Sequence, residues 1–112
     1  MEDKTLLIEA LGDSPTLRII DFFLDNRSDY SKKEIIEATG MSKTTFYKIW
    51  GALKEFSVVK STRKYGKAQL FSLDESNDVV KKLMALEFAL GKQAMEKAVV
   101  ENKIAIDAKK KQ

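Results

Sequence analysis

The chain has 112 residues, a formal net charge of +3, and neither cysteine nor histidine. This length predicts one domain with a modest core, which a partner chain could complete. The missing residue types exclude disulfides, thiolate or imidazole metal sites, and catalysis by a cysteine nucleophile or a histidine base.

The apolar runs of the sequence, such as LLI and VV, are far shorter than a membrane span. Met1 begins an acidic segment rather than the basic segment of a secretion signal. We therefore expect a cytoplasmic protein that does not enter a membrane.

Positive charge is concentrated in the middle of the chain. Residues 41–73 contain seven basic residues and one acidic residue, whereas residues 1–40 contain five basic and nine acidic residues. Solubility alone would be served by any distribution of charge, but neutralising phosphates requires the charge to be gathered on one unit. This polarity predicts a nucleic-acid contact by residues 41–73.

Two helices are predicted before residue 27. Ser14 and Pro15 indicate the start of one, because serine is a favoured N-cap and proline is favoured at the first helical position. Apolar residues then recur at helical spacing until about Asn26. A shorter helix, ending near Gly12, is predicted from Leu6, Leu7, Ala10 and Leu11. It could be a lid on the core or part of a dimer interface.

A helix-turn-helix is predicted next. Ser31 and Glu34 form a capping box pattern, which starts a helix. Gly40 ends that helix, since glycine adopts the left-handed geometry of a tight turn, and Ser42 caps a new helix two residues later. Two helices joined so closely cross steeply.

The second of these helices has one apolar side, and a hairpin follows it. Its apolar residues follow the spacing i, i+3, i+4, i+7, which favours core packing over an aromatic ligand site: Phe46, Ile49, Trp50 and Leu53. After Phe56 the pattern alternates, which predicts two short strands with a turn at 65–67.

The segments GMSKTTFYKIWGALKEFSVV and RKYGKAQLFSL resemble the winged helix-turn-helix transcription regulators of the ArsR and MarR type. In those proteins a small or apolar residue and a serine open the recognition helix, and an apolar pair leads into the wing. Met41-Ser42 and Val58-Val59 match these positions. The resemblance covers about residues 14–73 and is only architectural in the last helix. It implies a recognition helix at about 42–56 in the DNA major groove, and a wing at about 58–73 on the backbone or minor groove.

The sequence departs from that family in two respects. The family usually has glycine before the apolar pair, where this chain has Ser57, so a strained or altered helix end is expected. Metal sensing in ArsR-type proteins uses cysteine, histidine and carboxylate ligands, and the first two are absent here. We predict no metal and no cofactor.

The predicted DNA-binding residues fall into three groups. The alternative for each is a solvated polar surface or, at the hairpin, lysines that deter aggregation. The groups are Ser42, Lys43, Thr44, Tyr47 and Lys48 on the recognition helix; Arg63, Lys64 and Lys67 at the hairpin tip; and Ser31 and Lys32 at the start of the preceding helix.

The last helix is predicted to support a homodimer. Its apolar positions 79, 83, 86 and 90 follow a 4-3-4 spacing that is typical of helix–helix packing. Val80, Met84 and Phe88 leave further apolar surface, which a two-fold dimer would cover. The predicted interface residues are Leu6, Leu7, Val79, Leu83, Leu86 and Leu90.

The predicted fold is α+β and mostly α: a winged helix-turn-helix with a three-helix core, a two-stranded β-hairpin wing and a long C-terminal helix. The predicted divisions are a DNA-binding domain at 1–75, a dimerisation helix at 76–108 and a disordered basic tail at 109–112. We interpret the chain as a non-enzymatic, homodimeric regulator of transcription, and as a repressor, that binds double-stranded DNA. The alternative is a winged helix for protein–protein contact in a transcription or replication assembly. The sequence leaves the operator, the regulated genes and any small-molecule effector open.

Overall fold

The computed structural model describes residues 4–110, with side chains described for residues 4–105. Helices and strands alternate irregularly along this part of the chain. They are α1 (Leu6–Leu11), α2 (Pro15–Asp25), β1 (Tyr30–Ser31), α3 (Lys32–Thr39), α4 (Lys43–Glu55), β2 (Val59–Tyr65), β3 (Ala68–Leu73) and α5 (Asp78–Lys110).

Polar side chains fix the starts of the helices. The Ser14 hydroxyl accepts a hydrogen bond from the Leu17 amide at 3.1 Å, and Pro15 is the first residue of α2. At α3 the Ser31 hydroxyl accepts from the Glu34 amide at 3.2 Å, and the Glu34 carboxylate accepts from the Ser31 amide at 2.9 Å. These bonds satisfy amides that have no partner within the first helical turn. The predicted N-cap and capping box are confirmed.

The turn between α3 and α4 has the predicted geometry. Gly40 has a φ of 69°, in the left-handed region that other residues adopt at a cost. Ser42 then caps α4, where its hydroxyl accepts from the Thr45 amide at 3.1 Å. The helix-turn-helix is confirmed.

The core lies where α2, α3 and α4 meet the sheet. Phe46 stacks on Trp50 with ring centroids 4.8 Å apart, and Trp50 meets Phe71 of β3 edge to face at 5.1 Å. Ile19 and Ile35 are fully buried beside them. Burying each side chain of this size contributes about 1.5–3 kcal/mol to the free energy of unfolding. The prediction that Phe46 and Trp50 are core residues is confirmed, and their burial holds α4 with its other side in solvent.

The sheet has one strand more than predicted. Its order is β1-β3-β2 and both pairings are antiparallel, with Tyr30 opposite Phe71. A strand of two residues is too short to display an alternating pattern, so the sequence did not reveal it. The hairpin turn is also tighter than predicted, because Tyr65 pairs with Ala68 and leaves only two residues between the strands. Gly66 opens that turn with a φ of 62°.

The end of α4 keeps a left-handed residue although glycine is absent. Ser57 has a φ of 56°, so the strain expected from this departure is present. The Asn77 side-chain amide donates to the carbonyls of Phe56 and Ser57 at 2.9 and 2.8 Å. The Asn77 side-chain oxygen accepts from the Val79 amide at 2.7 Å. One side chain therefore joins the end of α4 to the start of α5.

Helix α5 has 33 residues, about 50 Å at the rise of an α-helix, and the protein measures 66 × 31 × 24 Å. The helix includes residues 109 and 110 of the predicted basic tail, and residues 111 and 112 lie outside the described residues. The predicted divisions of the chain stay predictions. Along the described chain no helix combines the length and apolar character needed to span a bilayer.

Helix α1 packs against α5 of the same chain and against α2. Leu7 is 1% exposed, so it belongs to the core of its own protomer rather than to a surface for a partner. Val80 is fully buried, and Met84 packs against the core. The apolar surplus inferred from the sequence is therefore smaller near the start of α5, because the core of the same chain covers two of the three residues counted, Val80 and Met84.

Candidate nucleic-acid interface

The first two turns of α4 present a polar, basic surface. Lys43, Thr44 and Lys48 are exposed, on the opposite side from the buried Phe46 and Trp50. The predicted recognition helix is thus anchored by its apolar side and exposed along the side predicted to read DNA. Long cationic and hydroxyl side chains at the start of such a helix are suited to base edges and phosphates.

Ser42 has a structural task at this surface. Besides accepting from the Thr45 amide, its hydroxyl donates to the Thr45 hydroxyl at 3.0 Å. Ser31 is occupied in a similar way by its capping box with Glu34. These two predicted DNA-binding residues therefore place helix starts, which point backbone amides outwards, and their hydroxyls are already engaged.

Lys32 joins three elements on this side of the molecule. Its ammonium nitrogen lies 5.4 Å from the centroid of the Tyr47 ring of α4 and 5.8 Å from that of Phe71 of β3. Tyr47 is 56% exposed and also meets Phe46 edge to face at 5.2 Å. Cation–π attraction of this kind holds a lysine close to the recognition helix. Tyr47 thus has a packing role in addition to the predicted contact with DNA.

The cations of the wing differ in whether they form an ion pair within the protein. Lys64 and Lys67 are exposed beside the hairpin turn. Arg63 instead forms a bidentate ion pair with Asp29: its Nε donates to one carboxylate oxygen at 2.9 Å and a terminal nitrogen donates to the other at 3.3 Å. This hydrogen bond from Arg63, followed by that from Thr62, lowers the pKa of Asp29 from its ordinary value. The sequence did not indicate this pair, whose members are 34 residues apart.

The apolar residues predicted for a dimer interface lie around α1 and α5. Leu6 is 42% exposed, Val79 50% and Leu86 37%, while Leu83 and Leu90 are partly buried against the core. Two shallow grooves run along this side, and both are lined by Leu90 and Gln93. Their remaining walls are mostly apolar or small residues together with charged residues at the rim: Leu6, Glu9, Ala10, Leu86, Ala89, Lys92, Ala94, Glu96 and Lys97.

Sequence reasoning missed a group of three carboxylates. Asp21 and Asp25 of α2 and Glu87 of α5 each have one oxygen within 4.8 Å of the others. Burial, followed by other contributions that include the charge of Asp25, raises the pKa of both Asp21 and Glu87. The spacing of Asp21 and Asp25 on one helix was visible in the sequence, but the approach of Glu87 depends on how α5 packs against α2.

No known protein-family profile and no curated protein sequence matches the chain. Among solved structures it is similar to the homodimeric winged helix-turn-helix DNA-binding domain, residues 1–100, of a possible ArsR-family transcriptional regulator from Mycobacterium bovis. The TM-score is 0.55 and the identity 26%, over 81% of this chain and 80% of that one.

The chain is also similar in fold to a probable transcriptional regulator from Pseudomonas aeruginosa, with a TM-score of 0.54 and 15% identity, over 86% of this chain and 73% of that one. The fold is therefore that of the winged helix-turn-helix regulators, which confirms the resemblance inferred from the sequence.

Proposed function

We propose that the protein binds double-stranded DNA and regulates transcription, with α4 in the major groove and the β2–β3 wing on the backbone or minor groove. The observation that carries this proposal is the exposed basic start of α4, held from behind by Phe46 and Trp50. The solved structures of similar fold are described as a DNA-binding domain and as transcription regulators, which supports the assignment. By occupying a promoter, such a protein would act as a repressor.

The protein-contact alternative requires a recognition helix whose outer side is apolar or covered. Lys43, Thr44 and Lys48 are instead exposed and polar, so the geometry favours DNA. Residues 41–73 contain a single acid, Glu55, and phosphates therefore meet little repulsion along the helix and wing.

Dimerisation is part of the proposal. The similar domain from Mycobacterium bovis is homodimeric. In this chain the grooves beside Leu6, Leu86 and Leu90 offer apolar surface for a second copy. Two-fold symmetry would set two recognition helices about 34–36 Å apart, one turn of DNA, so the expected operator is an inverted repeat.

The test distinguishes the contribution of the recognition helix to DNA binding from that of the wing. Lys64→Ala and Lys67→Ala should weaken binding to all sequences and lower the salt slope by about one per lost phosphate contact. Substitutions of Lys43, Thr44, Tyr47 or Lys48 should change which sequence is preferred, by about 1–3 kcal/mol where a bidentate base contact is lost.

The measurement begins with selection of bound fragments from random DNA, which yields the preferred sequence. Each variant is then titrated against the selected and a random duplex at several salt concentrations. Lys103→Ala is the matched control, because it removes the same charge from the exposed distal part of α5. Unchanged affinities in both the helix and the wing variants would exclude DNA recognition by this surface and would favour the protein-contact alternative.

A further inference from the structure

Asp29 connects the start of the sheet to the wing. It directly precedes β1, and its carboxylate accepts from the Thr62 hydroxyl at 2.7 Å and from the Arg63 guanidinium at 2.9 and 3.3 Å. Thr62 and Arg63 belong to β2, and β3 lies between β1 and β2. The contact therefore spans the whole width of the sheet.

A bulge in β2 makes this double contact possible. In a regular strand, successive side chains point to opposite faces, so neighbours such as Thr62 and Arg63 would not reach one carboxylate. Ser61 pairs with Phe71 and Lys64 pairs with Gln69, which leaves two residues of β2 opposite the single Leu70 of β3.

The Gln69 side chain supports the bulge from the facing strand. Its amide nitrogen donates to the carbonyl of Arg63 at 3.0 Å and to that of Leu70 at 3.2 Å. The bulge, the glutamine and the carboxylate thus form one polar arrangement within the wing.

The outer strand of the wing needs such an arrangement because its side chains are not held by the core. All residues of β2 after Val59 are exposed, whereas β3 buries Leu70, Phe71 and Leu73. Asp29, in contrast, has a side chain only 14% exposed, so it is itself held firmly. A fixed carboxylate at this position restrains the strand that leads to Lys64 and Lys67.

We propose that Asp29 is a positioning residue for DNA binding: by holding Thr62 and Arg63 it sets the direction of the wing, and Arg63 acts as a structural cation rather than as a phosphate contact. This inference rests on the proposed function. It reassigns Arg63, which the sequence grouped with Lys64 and Lys67. It also gives an acid that contacts the wing, Asp29, a role in binding a polyanion.

The direction in which one substitution changes the DNA affinity distinguishes this positioning role from simple electrostatics. Asp29→Asn removes a negative charge and releases Arg63, so electrostatics alone would tighten DNA binding and raise the salt slope by about one. A positioning role predicts the reverse, about three- to tenfold weaker binding with an unchanged slope, because a mobile wing must be ordered on binding.

Substitutions of Arg63 provide a second test of the positioning role. Arg63→Lys keeps the charge but cannot make the bidentate contact, so it should weaken binding about as much as Arg63→Ala does. The double variant Asp29→Asn with Arg63→Ala should bind no more weakly than either single variant, since both remove the same restraint. Lys64→Ala is the matched control from the adjacent position. Among the Asp29, Arg63 and Lys64 variants, only Lys64→Ala should lower the salt slope of DNA binding.

The restraint is also measured without DNA. Amide hydrogen exchange of residues 61–70 should accelerate in Asp29→Asn and Arg63→Lys, whereas the core amides of α2 and α4 should be unchanged. Tighter DNA binding by Asp29→Asn, or wild-type binding by Arg63→Lys, would overturn the positioning role, as would unchanged exchange in the wing. If the unmodified protein bound no DNA, the proposed function would fail, while the exchange result would still report whether Asp29 restrains the wing.

Discussion

Asp21 is the buried charged residue of the described core, and its environment explains why its pKa is raised. The Thr5 side chain, which caps α1, hydrogen-bonds to its carboxylate, while the Oδ1 atom is buried without a hydrogen-bond partner. Asp25 and Glu87 bring two more carboxylates within 4.8 Å. Burial favours the neutral form of a carboxyl group, and so does a neighbouring negative charge. The junction of α1, α2 and α5 is therefore strained by charge at neutral pH.

This junction makes stability depend on pH. Because the pKa of Asp21 is raised in the folded state, its favourable contribution is complete at low pH and is lost as the pH rises through that folded value, above the ordinary aspartate value of about 4. Asp21→Asn should consequently stabilise the protein by about 1 kcal/mol at pH 7, since the amide can donate to a neighbouring carboxylate, and the gain should vanish near pH 4.

Thermal unfolding of the wild type and the variant across this pH range provides the measurement. Glu101→Gln is the control, because it removes one negative charge from an exposed position on α5 outside this group. A destabilised Asp21→Asn protein, or a gain that does not vary with pH, would contradict the assignment of charge strain to this residue.

Ser57 shows a second kind of strain at the scale of one residue. It is the only non-glycine residue in the described chain with a positive φ, and its side chain is exposed. Ser57→Gly should stabilise the protein by about 0.5–1 kcal/mol, because glycine adopts this conformation without steric cost. Ser61→Gly in β2 should instead destabilise it, since there the glycine only adds flexibility. Chemical denaturation of both variants provides the comparison, and a less stable Ser57→Gly protein would contradict the strain.

At the scale of elements, the recognition helix and α5 are coupled through Asn77. This residue donates to the Phe56 and Ser57 carbonyls directly after α4 and accepts from the Val79 amide of α5, so its side chain connects the end of one helix to the start of the other. Lys32 fixes the other end of α4 through Tyr47. Contacts at both ends therefore determine how α4 is presented, beyond the burial of its apolar side.

The elements also differ in how they are stabilised. The helices of the helix-turn-helix are held by burial of Phe46, Trp50 and Ile35, whereas the outer part of the wing is held by polar contacts at the surface. Polar contacts at a surface are weak and sensitive to solution conditions. We therefore expect the wing to be the more adaptable part of the surface and α4 the more rigid one.

At the scale of the whole molecule, α5 carries exposed apolar residues on two opposite sides. Leu86 lines a groove along α5 together with Leu90, and Leu90 also lines the groove between α5 and Leu6 of α1. Met95 is nine residues further along, which is two and a half helical turns, so it lies on the opposite side of α5 and is 70% exposed. This arrangement allows the proposed dimer to be tested on one helix with an internal control.

Leu86→Glu should convert the dimer to a monomer, because it introduces a charge into the proposed interface along the side of α5 that carries Leu86 and Leu90. Met95→Glu makes the same chemical change on the other side and should leave the dimer intact. Leu86 suits this purpose better than Leu83, which is partly buried against the core and whose substitution would disturb folding. Sedimentation of both variants at micromolar concentrations, with circular dichroism to verify folding, provides the measurement.

Loss of the dimer by Met95→Glu alone would move the interface to the opposite side of α5. If the wild-type protein sedimented as a folded monomer, this result would exclude the proposed dimer. A monomeric Leu86→Glu protein should also lose its preference for an inverted repeat over a half-site, because the two recognition helices would no longer be linked.

The sequence by itself determined the features that depend on nearby residues. The starts of α2, α3 and α4 follow from hydrogen bonds between residues three apart, and the left-handed turn follows from Gly40 alone. The buried side of α4 follows from helical periodicity, which brings Phe46 and Trp50 to one side. Together these local rules were sufficient to predict the winged helix-turn-helix fold and its exposed basic helix.

Only the tertiary structure decided which distant residues meet. The pairing of Arg63 with Asp29, the approach of Glu87 to Asp21 and the packing of α1 against α5 each join residues far apart in the chain. A polar or charged side chain has the same sequence signature whether it faces solvent or a partner, because charge and periodicity do not encode which element packs against it. For this reason the basic surface was predictable from the sequence, whereas the division of its cations into exposed and paired ones required the fold.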